Sequence, residues 1–289
     1  MIYISSSSIK DKNLIAVLEE FRKNKINKIE LSGGTSFNKN LEEDLLTYKK
    51  KHELSFRLHN YFPPPEKDFV VNIGSLNDEI YKKSLDHCLR AVKLSKKLES
   101  SRYAIHAGFL LDPNVNEIGT GNKLGKNNFF NEYQSIQKMK DAWVILMKEA
   151  EGKVKLYLEN NVISNTNYSN FKSNPFLLTD KDSYLKMKES FKFNILLDLA
   201  HLKVSCKSLG LNFEKEASFL FKETDYIHLS GNDALEDTNN SILSDNDVVN
   251  FLRNQNLSKK TFTLEVYEDI DKIIKDYNFL KNLIKNART

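Results

Sequence analysis

Cysteine is scarce in this chain: only Cys88 and Cys206 occur among 289 residues. Two thiols cannot build a disulfide framework, and they show no metal-ligand spacing with each other, so a reducing cytoplasm is the expectation. Long hydrophobic runs are missing too. No stretch of about 18 apolar residues occurs, and no membrane span is expected. The N-terminal "MIYISSSSIKDKN" has an apolar start without a basic flank or cleavage site, so it does not read as a signal peptide. Dense blocks of Lys and Arg are also lacking. With 43 basic and 39 acidic side chains the net charge is +4, which argues against a duplex-binding face. Finally, no linker rich in Pro, Gly or Ser divides the chain, and residues 1–289 are expected to form one domain.

What is present is an alternation. Eight short apolar runs recur: "IYISSS" (2–7), "KIELSGG" (28–34), "SFRLHNYF" (55–62), "RYAIHAGF" (102–109), "KLYLENN" (155–161), "NILLDLAH" (194–201), "DYIHLSGN" (225–232) and "TFTLEVYE" (261–268). Between them lie amphipathic, helix-like segments such as 11–25, 76–99, 131–151, 180–190, 210–223, 244–254 and 269–286. Strands separated by helices pair in parallel, because each crossover needs a covering element. Eight such units predict a (β/α)₈ barrel. A doubly wound open sheet is the competitor, but "SSSSIKDKN" after the first run is no glycine-rich phosphate turn. Two polar stretches, 110–130 and 161–178, are longer than ordinary loops and follow strands, which in a barrel puts them over the active face.

The reactive side chains cluster at one kind of position. His52 and His87 fall in helical stretches and read as solvated surface residues. The other four histidines, His59, His106, His201 and His228, lie at or just beyond the ends of predicted strands, as do Glu159, Asp198 and Glu265. A barrel gathers these strand ends into one ring. Seven such groups buried without partners would cost several kcal/mol each, and a divalent cation supplies the missing counter-charge. Nitrogen and oxygen donors without Cys suit Mn²⁺, Co²⁺, Zn²⁺ or Mg²⁺.

These pairs resemble the xylose isomerase-like barrel superfamily, which holds sugar and sugar-phosphate isomerases and epimerases together with the endonuclease IV enzymes. The resemblance runs over essentially the whole chain and is most specific at "LEN" (158–160), "DLAH" (198–201), "IHLS" (227–230) and "LEV" (264–266). It implies one divalent metal held by Glu159, Asp198, His228 and Glu265. It further implies Glu159 and Glu265 as an acid/base pair and His201 as a substrate contact. In the endonuclease IV branch, histidines matching His59 in "LHNYF" and His106 in "IHAGF" bind a further zinc. That branch also carries an Asp-x-His pair after its strand-seven histidine. The corresponding "SGNDALEDTNNSILSDND" contains no histidine, which leaves a trinuclear cluster incomplete.

The reading is therefore an isomerase or epimerase of a small sugar or sugar phosphate. It would work by proton abstraction beside a carbonyl through a metal-stabilised enediolate, with His59 and His106 contacting substrate or binding a second ion. The alternatives are an endonuclease IV-like phosphodiesterase and a barrel that binds a sugar without turning it over. Lys123, Lys126 and Lys172 are candidates for holding a phosphate. Phe109, Phe129, Phe130 and Phe171 would close the pocket or form an interface between copies of an oligomer.

Overall fold

Inward and outward positions alternate along every strand, and here the two sets differ in chemistry. In Lys155–Glu159, Tyr157 and Glu159 share one face, while Leu156 and Leu158 share the other. The same split separates Tyr226 and His228 from Ile227 and Leu229. The aliphatic face of each strand meets the helices, and the other face meets the interior of a closed barrel.

The computed structural model describes residues 1–118, 123–125 and 128–286. Its strands are β1 (Ile2–Ser5), β2 (Lys28–Leu31), β3 (Ser55–His59), β4 (Arg102–His106), β5 (Lys155–Glu159), β6 (Asn194–Asp198), β7 (Tyr226–Leu229) and β8 (Thr261–Leu264). They follow one another in sequence order, all parallel, and β1 closes on β8 through the pairs Ile2↔Phe262 and Ile4↔Leu264. The predicted (β/α)₈ barrel is the observed fold. The helices are α1 (Leu14–Lys23), α2 (Leu41–His52), α3 (Asp78–Lys97), α4 (Glu132–Ala150), α5 (Asn165–Phe171), α6 (Lys181–Ser190), α7 (Leu199–Leu209), α8 (Phe213–Glu223), α9 (Asn246–Arg253) and α10 (Ile270–Asn286). No helix among the described residues is long and apolar enough to cross a membrane.

The floor of the barrel is aromatic and cationic. Arg57 on β3 is almost fully buried, with its guanidinium 3.9 Å from the centre of the Tyr3 ring and 5.0 Å from that of Tyr226. Stacking on π faces shelters part of its charge. Lower still, Asp225 accepts from Arg102 and from the Tyr157 hydroxyl.

Strand β6 stops at Asp198, where the run "NILLDLAH" loses its apolar character, and the Asp198 carboxylate accepts from the His201 N–H and caps α7. A short polar side chain at that point ends extended structure and starts a helix in one step, so His201 lies in the first turn of α7. Two expectations need correction. The stretch 161–178 is not all loop, because Ser164 caps the short helix α5 within it. His87 is not a surface residue. It is buried, its ring set edge-on against Phe69, and its Nε2 lies 3.1 Å from the Asn60 carbonyl oxygen. The buried face of α3 carries the small residues Ser84, Cys88, Ala91 and Ser95, which weigh little in a count of large apolar residues, so the periodicity misses it. Burial lowers the pKa of His87 to about 4. His52, by contrast, remains partly exposed beside Tyr48.

Candidate metal centre

Strand ends bring the acidic and imidazole groups together around one carboxylate. Glu159, the last residue of β5, is fully buried. Its Oε2 lies 2.6 Å from His59 Nε2 and 3.4 Å from His106 Nδ1. Its Oε1 lies 3.2 Å from His228 Nδ1 and 3.9 Å from His201 Nδ1. Glu265, directly after β8, approaches His228 Nδ1 at 3.3 Å and accepts from the hydroxyls of Ser7 and Tyr267. Asp198 completes the ring at the end of β6. All seven groups expected from the sequence thus share one end of the barrel.

The neighbours of these groups fix them in place. Asn160 clamps Asp198 at both ends of its amide: its Oδ1 accepts from the Asp198 N–H, and its Nδ2 donates to the Asp198 carbonyl. His201 Nδ1 lies 2.9 Å from the Asn160 carbonyl, which turns Nε2 toward Asp237 Oδ2 at 3.2 Å. Asp237 belongs to the segment after β7 that lacks histidine, and the sequence reading did not single it out. It also missed Glu30, a fully buried residue of β2 whose Oε1 lies 2.7 Å from His228 Nε2. The available signal for Glu30 was strand alternation, which sets it on the inward face.

Three groups of three can each receive a cation: Glu30, His59 and His228; His59, His106 and Glu159; and beside them Glu159, Asp198 and His228. Glu159 belongs to the last two. Among the described residues, the buried atoms His106 Nδ1, Glu159 Oε1, Glu30 Oε1 and both ring nitrogens of His228 lie within ion-contact range of one another's groups but without the alignment of hydrogen bonds. Buried donors and acceptors are rarely left so. The donor set and these orphaned atoms fit a divalent ion.

Carboxylates and imidazoles shift one another's protonation at the centre. Burial opposes ionisation of Glu159, but the imidazoles of His106, His59 and His228 outweigh it and keep the carboxyl well below its usual range. Burial also opposes protonation of His228 and His201. Glu30 and Glu159 overcome it for His228, and Asp198 and Asp237 for His201, so both rings hold protons well above their ordinary range. Burial lifts Asp198 to about 6 and lowers His106 to about 4. Glu265 is also opposed by burial, yet its contact with His228 brings it down to about 2.

A pH dependence follows. Between pH 6.5 and 8, His228 and His201 keep protons in the folded chain that they release on unfolding. The unfolded state then binds fewer protons, and stability falls as pH rises. The depressed groups do not oppose this, because Glu159 and Glu265 act below their unfolded pKa of about 4.5, and His106 between about 4 and 6.5. Chelator-treated protein is expected to lose about 1.4 kcal/mol per pH unit for each retained proton across that window. Metal-loaded protein should show a flatter slope, because the ion replaces those protons. Thermal unfolding from pH 6.5 to 8, with and without metal, checks this; equal slopes would contradict it.

A cavity of about 330 Å³ stands over the centre. Both long segments contribute to it, through Glu117, Ile118 and Leu124 from the first and Asn167 and Phe176 from the second. Phe129 and Phe171 meet edge-on at 5.1 Å and join the two segments. Lys123 and Lys172 are exposed and do not line the cavity. Lys126 lies outside the described residues.

No protein-family model matches the chain, and no curated protein matches it in sequence. Solved structures do match in fold. A D-tagatose 3-epimerase-like protein shares 15% identity at TM-score 0.73, over 99% of this chain and 98% of that one. An L-ribulose 3-epimerase shares 12% identity at TM-score 0.66, over 99% and 95%. Endonuclease IV from Thermus thermophilus shares 12% identity at TM-score 0.62, over 99% of each chain.

Proposed function

The structural neighbours of this chain are xylose isomerase-like barrels, and from that starting point we propose that it is a metal-dependent epimerase or isomerase of a free, unphosphorylated sugar. The observation that carries the reading is the placement of Glu159, Asp198, His228 and Glu265 beneath a cavity that has no Lys or Arg among its described lining residues. Its polar walls are instead carboxylates and amides, including Glu117, Glu236, Asp237 and Asn161. Such groups accept from and donate to hydroxyls, and they repel a phosphate. The volume lies near the lower end of the roughly 300–1,000 Å³ usual for small-molecule sites. Lys10 borders the adjoining cleft, which Glu265 also lines.

A divalent cation held by Glu159, Asp198, His228 and Glu265 would supply Lewis acidity toward a carbonyl and the neighbouring hydroxyl of the sugar. The protein's own share is proton handling. Glu265 borders the cleft and keeps its carboxylate ionised, as a base must. Glu159, which also approaches His228 Nδ1, is its counterpart in the proposed acid/base pair. His201 and His106 line the cavity and orient substrate oxygens, while His59 borders the cleft between them.

One observation favours a second reading, phosphodiester hydrolysis. His59, His106 and Glu159 form a second cation group that shares Glu159 with the first, as a two-ion centre requires. The test separates the two. Metal-loaded protein is incubated in D₂O with free ketoses and aldoses, their phosphates, and abasic duplex DNA. Deuterium entering a carbon-bound position of a free sugar, read by NMR, is the expected result. Sugar turnover without deuterium, or DNA incision that disappears in Glu159→Ala, would overturn the proposal.

A further inference from the structure

His228 presents its two ring nitrogens to opposite sides. Nδ1 faces the centre, 3.2 Å from Glu159 Oε1 and 3.3 Å from Glu265 Oε2. Nε2 faces down the barrel, 2.7 Å from Glu30 Oε1. The other oxygen of Glu30 accepts from the Thr263 hydroxyl at 2.8 Å. Glu30, His228 and Thr263 are all fully buried, and none of them lines the cavity. Register explains the meeting. Glu30 pairs with Arg57 across β2 and β3, and His228 pairs with Thr263 across β7 and β8. Register partners in a parallel sheet point to the same face, so all four side chains enter the barrel interior.

We infer that Glu30 is a positioning residue: it fixes the ring orientation and tautomer of His228 from beneath, so that Nδ1 alone is offered to a metal. This rests on the metal-centre reading above. An imidazole ligand is commonly held through its second nitrogen by a carboxylate, which sets its tautomer and strengthens it as a donor. Glu30 is also within reach of becoming a ligand itself, in a group with His59 and His228. Its place on the Nε2 side of the ring, away from the cavity, argues against that role. The Thr263 hydroxyl holds the second oxygen, and the buried Arg57 guanidinium is a nearby positive charge.

A merely structural role, as counter-charge to Arg57, would make Glu30 matter equally with or without the imidazole. The test is a double-mutant cycle on the full chain, stripped with chelator and titrated with Zn²⁺ or Mn²⁺ alone against a competing dye. Glu30→Gln is expected to weaken binding about 10–100-fold. Thr263→Val, which frees one carboxylate oxygen, should weaken it about fivefold, the worth of one hydrogen bond. In a His228→Asn background, already weakened, adding Glu30→Gln should change affinity by less than about twofold. Thr263→Val carries the test should Glu30→Gln fail to fold. Wild-type affinity retained in Glu30→Gln, or an undiminished loss in the His228→Asn background, would overturn the inference while leaving the metal centre standing. A wild-type chain that binds no metal would instead remove the centre, and this inference with it.

Discussion

Glu159→Ala is expected to empty the centre. Both oxygens of this carboxylate are committed: Oε2 to His59 and His106, Oε1 to His228 and His201. It is also common to both of the adjoining cation groups. Removing it takes a charged donor from each and leaves four imidazoles facing one another. Elemental analysis after reconstitution should find metal near zero, with affinity at least a hundredfold below wild type. That exceeds the loss of one outer partner, for which about 10–100-fold is usual. Asp198→Ala is the informative comparison. It removes a donor from one group only and leaves His59, His106 and Glu159 together. If the protein binds two ions, Asp198→Ala should retain one of them and Glu159→Ala neither. Metal-free Glu159→Ala should also unfold at lower temperature, since removing one partner of a buried ion pair typically costs about 3–5 kcal/mol. Wild-type stoichiometry in Glu159→Ala would refute this placement of the metal.

The barrel was legible because each strand ends where apolar alternation gives way to a polar residue, and the spacing leaves room for a helix before the next. The same breaks expose the ligands. Glu159, Asp198 and Glu265 come at or just beyond the last residue of their strands, where a polar side chain stands out against the apolar run before it. Glu30 escapes because it sits inside its run, between Ile29 and Leu31, where a polar residue reads as ordinary alternation. Only closure of the sheet turns that face inward and makes the carboxylate a buried neighbour of His228. Asp237 lies in a connection without periodicity, and its meeting with His201 depends on the path of the chain after β7. His87 was misread for a different reason: its neighbours on the buried face of α3, Ser84, Cys88 and Ala91, are small, and hydropathy counts large residues.

The chemistry itself is tested most sharply at Glu265. Of the two carboxylates proposed to move protons, Glu159 is sealed among imidazoles, whereas Glu265 is partly open, with 12% of its side chain exposed beside the cleft. Ser7 and Tyr267 both donate to its Oε1, which leaves Oε2 toward His228 and the centre. Glu265→Gln preserves the shape and can still accept from both hydroxyls, but it cannot take up a proton. Solvent deuterium exchange into the substrate is therefore expected to fall by about 10²–10⁴, the usual contribution of a general base. Loss of the metal would imitate that result, since Glu265 is also a proposed ligand, so exchange must be compared at saturating metal with occupancy measured in the same sample. Tyr267→Phe provides an internal control. It removes one donor to the carboxylate without removing the base, and its effect should stay near the roughly fivefold worth of one hydrogen bond. A Glu265→Gln protein that holds metal and exchanges at the wild-type rate would rule out Glu265 as the base and move the proton transfer to another group in the centre.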